Sequence, residues 1–296
     1  MSSFDKVDSD DEFRDESSGI DVGLYEAPGS GGFHVFNVAP DHYHRAEALQ
    51  RTGAIDITCN LEKVVHGAMS PDSDSYATLI VMKWLFQPKG TRRISKATIT
   101  LEFSSESDES EIEVEHISFF DTYGLMPTTE DQSVTRGVEG TAGVEQVASL
   151  SVTGKFEKTV AKTTSHAITL SGAKHLVNNR PPNRIATWTL SENPSQRAGI
   201  PASLTVAVLV SRRDRATFLC NLSFTCETDW ATAVQSVFKK IPKDDPIIFQ
   251  PNPNLKGKRP NKKVLFGDDN LGSLDLDGFG DVTFRTIINN AEKARS

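Results

Sequence analysis

Three runs between Arg184 and Cys226 alternate apolar and polar residues with a period of two, and this constrains the fold more than any other feature of the chain. Successive side chains of a strand point to opposite faces, so such a period gathers the apolar set on one face. In the last run Phe218, Cys220, Leu222, Phe224 and Cys226 share a face, with Leu219, Asn221, Ser223 and Thr225 between them. Before it, Leu204, Val206, Val208 and Val210 repeat the pattern mostly with β-branched residues, which suit a pleated surface. The first run, Ala186, Trp188 and Leu190, brings a tryptophan to a similar face. Asn193-Pro194 and Gly199-Ile200-Pro201 break the chain between them. An all-β core follows.

The rest of the chain extends this reading. Ile55, Ile57, Cys59 and Leu61 alternate within residues 54–65, and Ala97, Ile99, Leu101 and Phe103 do so later. Tyr76 to Phe86 is almost continuously apolar, as a strand covered on both faces would be. With Ile112 to Phe120, this half reads as an antiparallel meander. Phe33 to Val38 reads as a short strand and Ala46 to Gln50 as a short helix. Thr228 or Asp229 can cap a helix from Trp230 to Lys240, whose stripe of Trp230, Ala233, Val234, Val237 and Phe238 would cover the sandwich as a lid. Asp275 or Asp281 can cap a last helix, docked by Val282, Phe284, Ile287 and Ile288. The expected architecture is an antiparallel β-sandwich with a lid helix and a short C-terminal helix. Residues 1–31 form a disordered acidic tail, 32–242 the sandwich with its lid, and 243–296 an extended basic linker and the C-terminal helix.

Charge is distributed unevenly. The chain carries net −8, yet residues 1–22 hold eight acids against two bases and residues 104–115 six acids and no base. What remains is mildly basic. The tail has too few aliphatics to offset the entropy of ordering. Three cysteines within strand patterns argue against a disulfide framework. The N-terminus lacks the apolar stretch of a signal peptide, and no run approaches the ~18 apolar residues of a spanning helix. These features imply a soluble, reducing setting, cytoplasmic or nuclear.

Several segments are candidates for function. Ser9 precedes an acidic run, and Ser105, Ser107 and Ser110 lie among acids, so phosphorylation there would deepen a negative patch. Lys256, Lys258, Arg259, Lys262 and Lys263 form a basic cluster suited to anion binding or a nuclear address; no aromatics interleave to stack on bases. His42, His44 and His66 could meet around a metal, without the spacing of a known zinc pattern. Asp268 to Gly278 hints at calcium but departs from the EF-hand order. Residues 128–165 are rich in Thr, Ser, Gly and Val with weak two-sided alternation, a composition that also marks membrane-inserting hairpins; Arg136, Glu139, Glu145 and Lys158 interrupt a lipid-facing stripe. No phosphate-binding glycine loop, GxSxG elbow, HExxH or CxxC occurs.

The chain resembles a group of proteins of filamentous fungi with no established activity. The resemblance lies in Ser151-Val-Thr-Gly-Lys-Phe-Glu-Lys, Ala186-Thr-Trp-Thr-Leu-Ser-Glu-Asn, Gly199-Ile-Pro, Arg212-Arg-Asp, Lys243-Asp-Asp-Pro, Asn270-Leu-Gly-Ser-Leu-Asp-Leu and Asp281-Val-Thr-Phe, over residues 54–290. It implies an intracellular β protein and assigns no catalytic residue. The leading expectation is a non-enzymatic binding or scaffold module with a protein partner and no cofactor. The alternative is a membrane-active or pore-forming protein using residues 134–165, and an enzyme with an unrecognised site comes third.

Overall fold

The computed structural model describes residues 35–37, 43–52, 55–89, 92–105, 111–138, 156–228, 244–252 and 263–284, with 128–138 and 156–165 described by their backbone alone. Two sheets face each other across one core. The first contains β1 (Glu47–Arg51), β2 (Ile55–Ala68), β3 (Tyr76–Pro88), β5 (Ile112–Ile117), β9 (Ser203–Arg212), β12 (Val264–Asp268) and β13 (Asp281–Thr283). Its main path runs β1-β2-β3-β9-β13, with β12 on β2 and β5 on β9. The second runs β11 (Ile247–Phe249), β10 (Phe218–Thr228), β4 (Ile94–Ser105), β8 (Arg180–Ser191), β7 (Phe156–Val177) and β6 (Asp121–Val138).

The all-β sandwich is as the alternation requires, but the connections differ from a meander. After β3 the chain crosses to the second sheet, and β9 returns to pair with β3 while β8 and β10 flank β4. The three runs that define the core therefore belong to two sheets, and their apolar faces meet. Ile57, Cys59, Leu61, Trp84, Ile99, Leu101, Phe103, Trp188, Leu190 and Cys220 are all fully buried in the cluster between them. One pair departs from antiparallel order: β12 lies parallel to β2.

The outer face of the first sheet is covered too, which explains the unbroken apolar run in β3. Val65, Ala77, Leu79, Val81, Ala207 and Leu209 form a second cluster with Leu271 and Leu276. The cover is a C-terminal segment of two 3-10 turns, Leu271–Ser273 and Asp277–Phe279. The lid helix expected over Trp230–Lys240 lies outside the described residues, as do the tail 1–31 and Ile287 and Ile288. A helix capped at Asp281 is corrected: Asp281–Thr283 pairs with Ser203–Thr205, and the strand edge satisfies its backbone. Asp275 caps only a turn, accepting a hydrogen bond from the Asp277 amide. Ala46–Gln50 is not helical either. Glu47–Arg51 pairs with β2 and buries Ala48 and Leu49, an anchorage that so short a helix would lack in water. Residues 35–37 form no ladder; the Val35 and Asn37 amides donate instead to the carboxylates of Asp244 and Asp245.

The sheets are tied at the corner between β5 and β6. The Ser118 amide donates to the Ala207 carbonyl and the Ala207 amide donates to Ser118 Oγ, both at β9. The Ser118 carbonyl accepts from Trp188 Nε1 of β8 at 2.9 Å. At the same corner the chain passes so close to β7 that a Cβ on Gly172 would stand 2.2 Å from the Phe119 carbonyl oxygen. Ser118 is fully buried, so removing its hydroxyl strands the Ala207 amide. We expect Ser118→Ala to lower unfolding stability by about 1–3 kcal/mol, measured by urea denaturation, without loss of the native circular dichroism spectrum.

Candidate functional site

Two regions stand out: a hairpin that outruns its sheet, and a buried polar chain beside a cavity. Strand β7 pairs with β8 only from Thr169 to Val177. Its pairing with β6 continues well past that point, from Thr128 with His166 to Val138 with Phe156. Among the described residues this stretch has no third strand. At ~3.3 Å per residue, Thr128 to Val138 spans about 33 Å, close to the ~30 Å hydrocarbon thickness of a bilayer.

The ribbon has a defined root. Asn193, fully buried, donates from Nδ2 to the His166 carbonyl. The register shifts between Leu125 and Thr128, where Met126 has φ +49° and Pro127 lacks an amide proton. Below this break Asp277 accepts from the Phe119 amide at 2.7 Å and from the Tyr123 hydroxyl at 3.3 Å, pinning the start of β6 to the C-terminal segment.

The register assigns the charges that interrupt the ribbon to its faces. Arg136 pairs with Lys158, and Lys162 lies opposite Gln132, so these three charges share the even-numbered face, which also holds Glu130 and the Val134–Val160 pair. Odd-numbered positions pair Thr129 with Ser165, Ser133 with Ala161 and Thr135 with Thr159. Asp131, opposite Thr163, and Glu157, opposite Gly137, fall toward the two ends of that face. Between them it is small and uncharged. Arg136 and Lys158 thus interrupt one face and spare the other; Glu139 and Glu145 lie outside the described residues.

The second region joins His44 and His66, which the sequence suggests only as possible metal ligands. Both are buried, and their Nε2 atoms are 2.9 Å apart. The Gln250 amide donates to His44 Nε2, which makes that nitrogen an acceptor and places the shared proton on His66 Nε2. His66 Nδ1 then accepts from Thr78 Oγ1, which itself accepts from Arg212 Nη2. This chain links β2, β3 and β9 of one sheet to the end of β11. Beside it lies a cavity of about 300 Å³, bordered by His66, Tyr76, Arg212, Arg215, Asp268 and Asp269. One wall is set by close approach: a Cβ on Gly67 would overlap the Asp268 carbonyl oxygen.

The other sequence candidates are dispersed. Lys263 pairs with the Glu62 carboxylate at 3.0 Å on the surface, and Lys256, Lys258, Arg259 and Lys262 lie outside the described residues. Ser105 ends β4 opposite Phe218, while Ser9, Ser107 and Ser110 lie outside the described residues. Asp268 and Asp275 turn onto nearby backbone amides rather than toward a common ion. Among the described residues no group of three potential ligands could hold a metal ion. His42 lies outside them. Cys59, Cys220 and Cys226 are free and buried, and burial pushes all three thiols up, away from the reactive thiolate.

No family model and no curated protein matches the chain. Among solved structures it is similar to Clostridium perfringens delta-toxin, with 11% identity over 60% of this chain and 84% of that one, at TM-score 0.29. It is also similar to the Clostridium perfringens NetB toxin in its membrane-inserted form, with 8% identity over 60% and 82%, at TM-score 0.28. Likeness at this level decides nothing about activity.

The histidine pair makes stability depend on pH. Desolvation lowers His44 to about 4; it lowers His66 to about 2, with the neighbouring His44 and Arg212 adding to the effect. Both folded values lie below the ordinary value near 6.5, so the unfolded chain binds more protons between them and stability is lost as pH falls. We expect unfolding free energy to decline from pH ~6.5 toward ~4, each histidine adding up to about 1.4 kcal/mol per pH unit to the slope. Urea titrations across this range should show the His44→Gln/His66→Gln variant with a shallower slope than wild type.

Proposed function

We propose that this chain is a membrane-active β protein whose β6–β7 ribbon inserts into a bilayer as part of an oligomeric barrel. The observation that carries the reading is the ribbon itself: two strands of bilayer-spanning length, paired among the described residues only with each other, with charge confined to one face through the middle of the span. A two-stranded hairpin is marginal in water. In lipid its outer backbone edges must also be paired, because no water is present to take their hydrogen bonds. One hairpin cannot meet that requirement. Several copies side by side can, by closing into a barrel whose charged even positions line the lumen and whose small odd positions face lipid. Between Asp131 and Glu157 the odd face carries Thr, Ser and Ala rather than large apolar residues, so insertion would draw much of its stability from backbone pairing.

This places membrane activity ahead of the scaffold role that the sequence alone favours. The sandwich then serves as a rigid base and the break at Met126-Pro127 as the point where the ribbon changes direction. Replacing residues 129–165 with a short Gly/Ser linker tests the reading, because β8 and the paired part of β7 remain intact. The full chain should release dye from liposomes of mixed phospholipid and sterol. The shortened chain should keep its thermal transition and release at least tenfold less. Equal release by both chains, or none by the full chain, contradicts the proposal.

A further inference from the structure

Arg212 is a buried cation that feels the nearby Asp214 carboxylate but forms no ion pair among the described residues. It is 3% exposed, and no carboxylate among the described residues pairs with it. Nη1 donates to the Asp214 carbonyl at 2.8 Å and Nη2 to Thr78 Oγ1 at 2.9 Å. Its guanidinium lies over the Phe218 ring at 4.9 Å, and Nε has no partner. Desolvation pulls its pKa down to about 10. A guanidinium offers five donors, and one buried outside an ion pair keeps part of its desolvation cost. Arg212 nevertheless borders a cavity large enough for a small ligand, and a second guanidinium stands beside it: Arg215 is held over the Tyr76 ring at 4.7 Å.

We propose that this cavity binds a small oxyanion, a phosphate, sulfate or carboxylate group, gripped between Arg212 and Arg215. Paired guanidinium forks match the oxygens of such groups better than any other side chain. The remaining lining agrees with this. His66 is neutral and its Nδ1 is already taken by Thr78. Asp268 Oδ1 accepts from the Asn270 amide, and both Asp268 and Asp269 are exposed, so water and salt screen them while Arg212 is shielded from both. The site is independent of the membrane reading, since it lies on the sandwich rather than on the ribbon.

The test is calorimetric titration of the full chain with sodium sulfate, against sodium chloride at equal ionic strength. Wild type should bind sulfate and gain thermal stability. Arg215→Ala, altered at an exposed position, should stay folded and bind at least tenfold more weakly. Arg212→Lys should also bind more weakly, because it keeps the charge and loses the fork. Absence of sulfate-specific heat and thermal shift in wild type, or undiminished binding by Arg215→Ala, overturns the proposal. Flotation with vesicles containing phosphatidic acid separates the sources. Loss of flotation in Arg215→Ala supports a lipid headgroup phosphate as the anion, and unchanged flotation alongside weakened sulfate binding supports a free one.

Discussion

Every backbone amide and carbonyl of a strand needs a partner, and between Thr169 and Phe156 strand β7 has, among the described residues, one neighbouring strand instead of two. That constraint organises what the rest of the molecule does. Within the sandwich the central strands β2, β3, β9, β10, β4 and β8 are paired on both sides and turn an apolar face to the common core. Past the root at His166 the same two strands keep pairing with each other while the sheet has ended. Their outer edges must then rely on water, or on further strands in a setting where water is absent.

The body is built to hold such a ribbon by one end. Ser118 joins β9 to Trp188 on the opposite sheet, and the adjoining Phe119 presses on Gly172 of β7. Asp277 takes hydrogen bonds from Phe119 and Tyr123, so the C-terminal cover and the start of β6 are fixed together. Above these anchors the chain passes Met126 in a left-handed conformation and Pro127 without a donor. The register shifts there, and the ribbon begins on the far side of that break. The histidine–arginine chain, at another part of the first sheet, joins β11 to β2 through His44 and His66. The charge of Arg212, in no ion pair among the described residues, gives the sandwich a polar feature that the core does not need.

The fold was legible where burial has the period of the strand. Phe218 to Cys226 and Ile55 to Leu61 appear as strands because only one set of alternate residues meets the core, and Tyr76 to Phe86 because both sets do; in Leu204 to Val210 the period of two showed one buried set, while Ala207 and Leu209 of the other are buried as well. Sheet membership was not legible. Period says that β8, β9 and β10 have apolar faces but not which neighbours complete their ladders. Ala46–Gln50 misled because local helix propensity yields to the edge of β2. For the ribbon, composition pointed to residues 134–165, while the decisive fact was register: only the pairing of Arg136 with Lys158 shows that their charges share a face. The His44–His66–Thr78–Arg212 chain was the least visible. Its members are separated by long stretches of sequence, and a lone histidine before a strand carries no sign of its partner.

The most direct measurement is a cysteine scan of the ribbon with an environment-sensitive fluorophore, position by position from Ser133 to Gly137 and from Glu157 to Ala161. The three native thiols are buried, so single introduced cysteines can be labelled in the folded protein. On adding liposomes, probes at odd positions such as 133, 135, 159 and 161 should shift to the blue and become quenchable from within the lipid. Probes at 134, 136, 158 and 160 should stay in water. An alternation of this kind, with a period of two and the odd face toward lipid, is what an inserted ribbon requires. Uniform exposure to water at every position in the presence of membranes would contradict it.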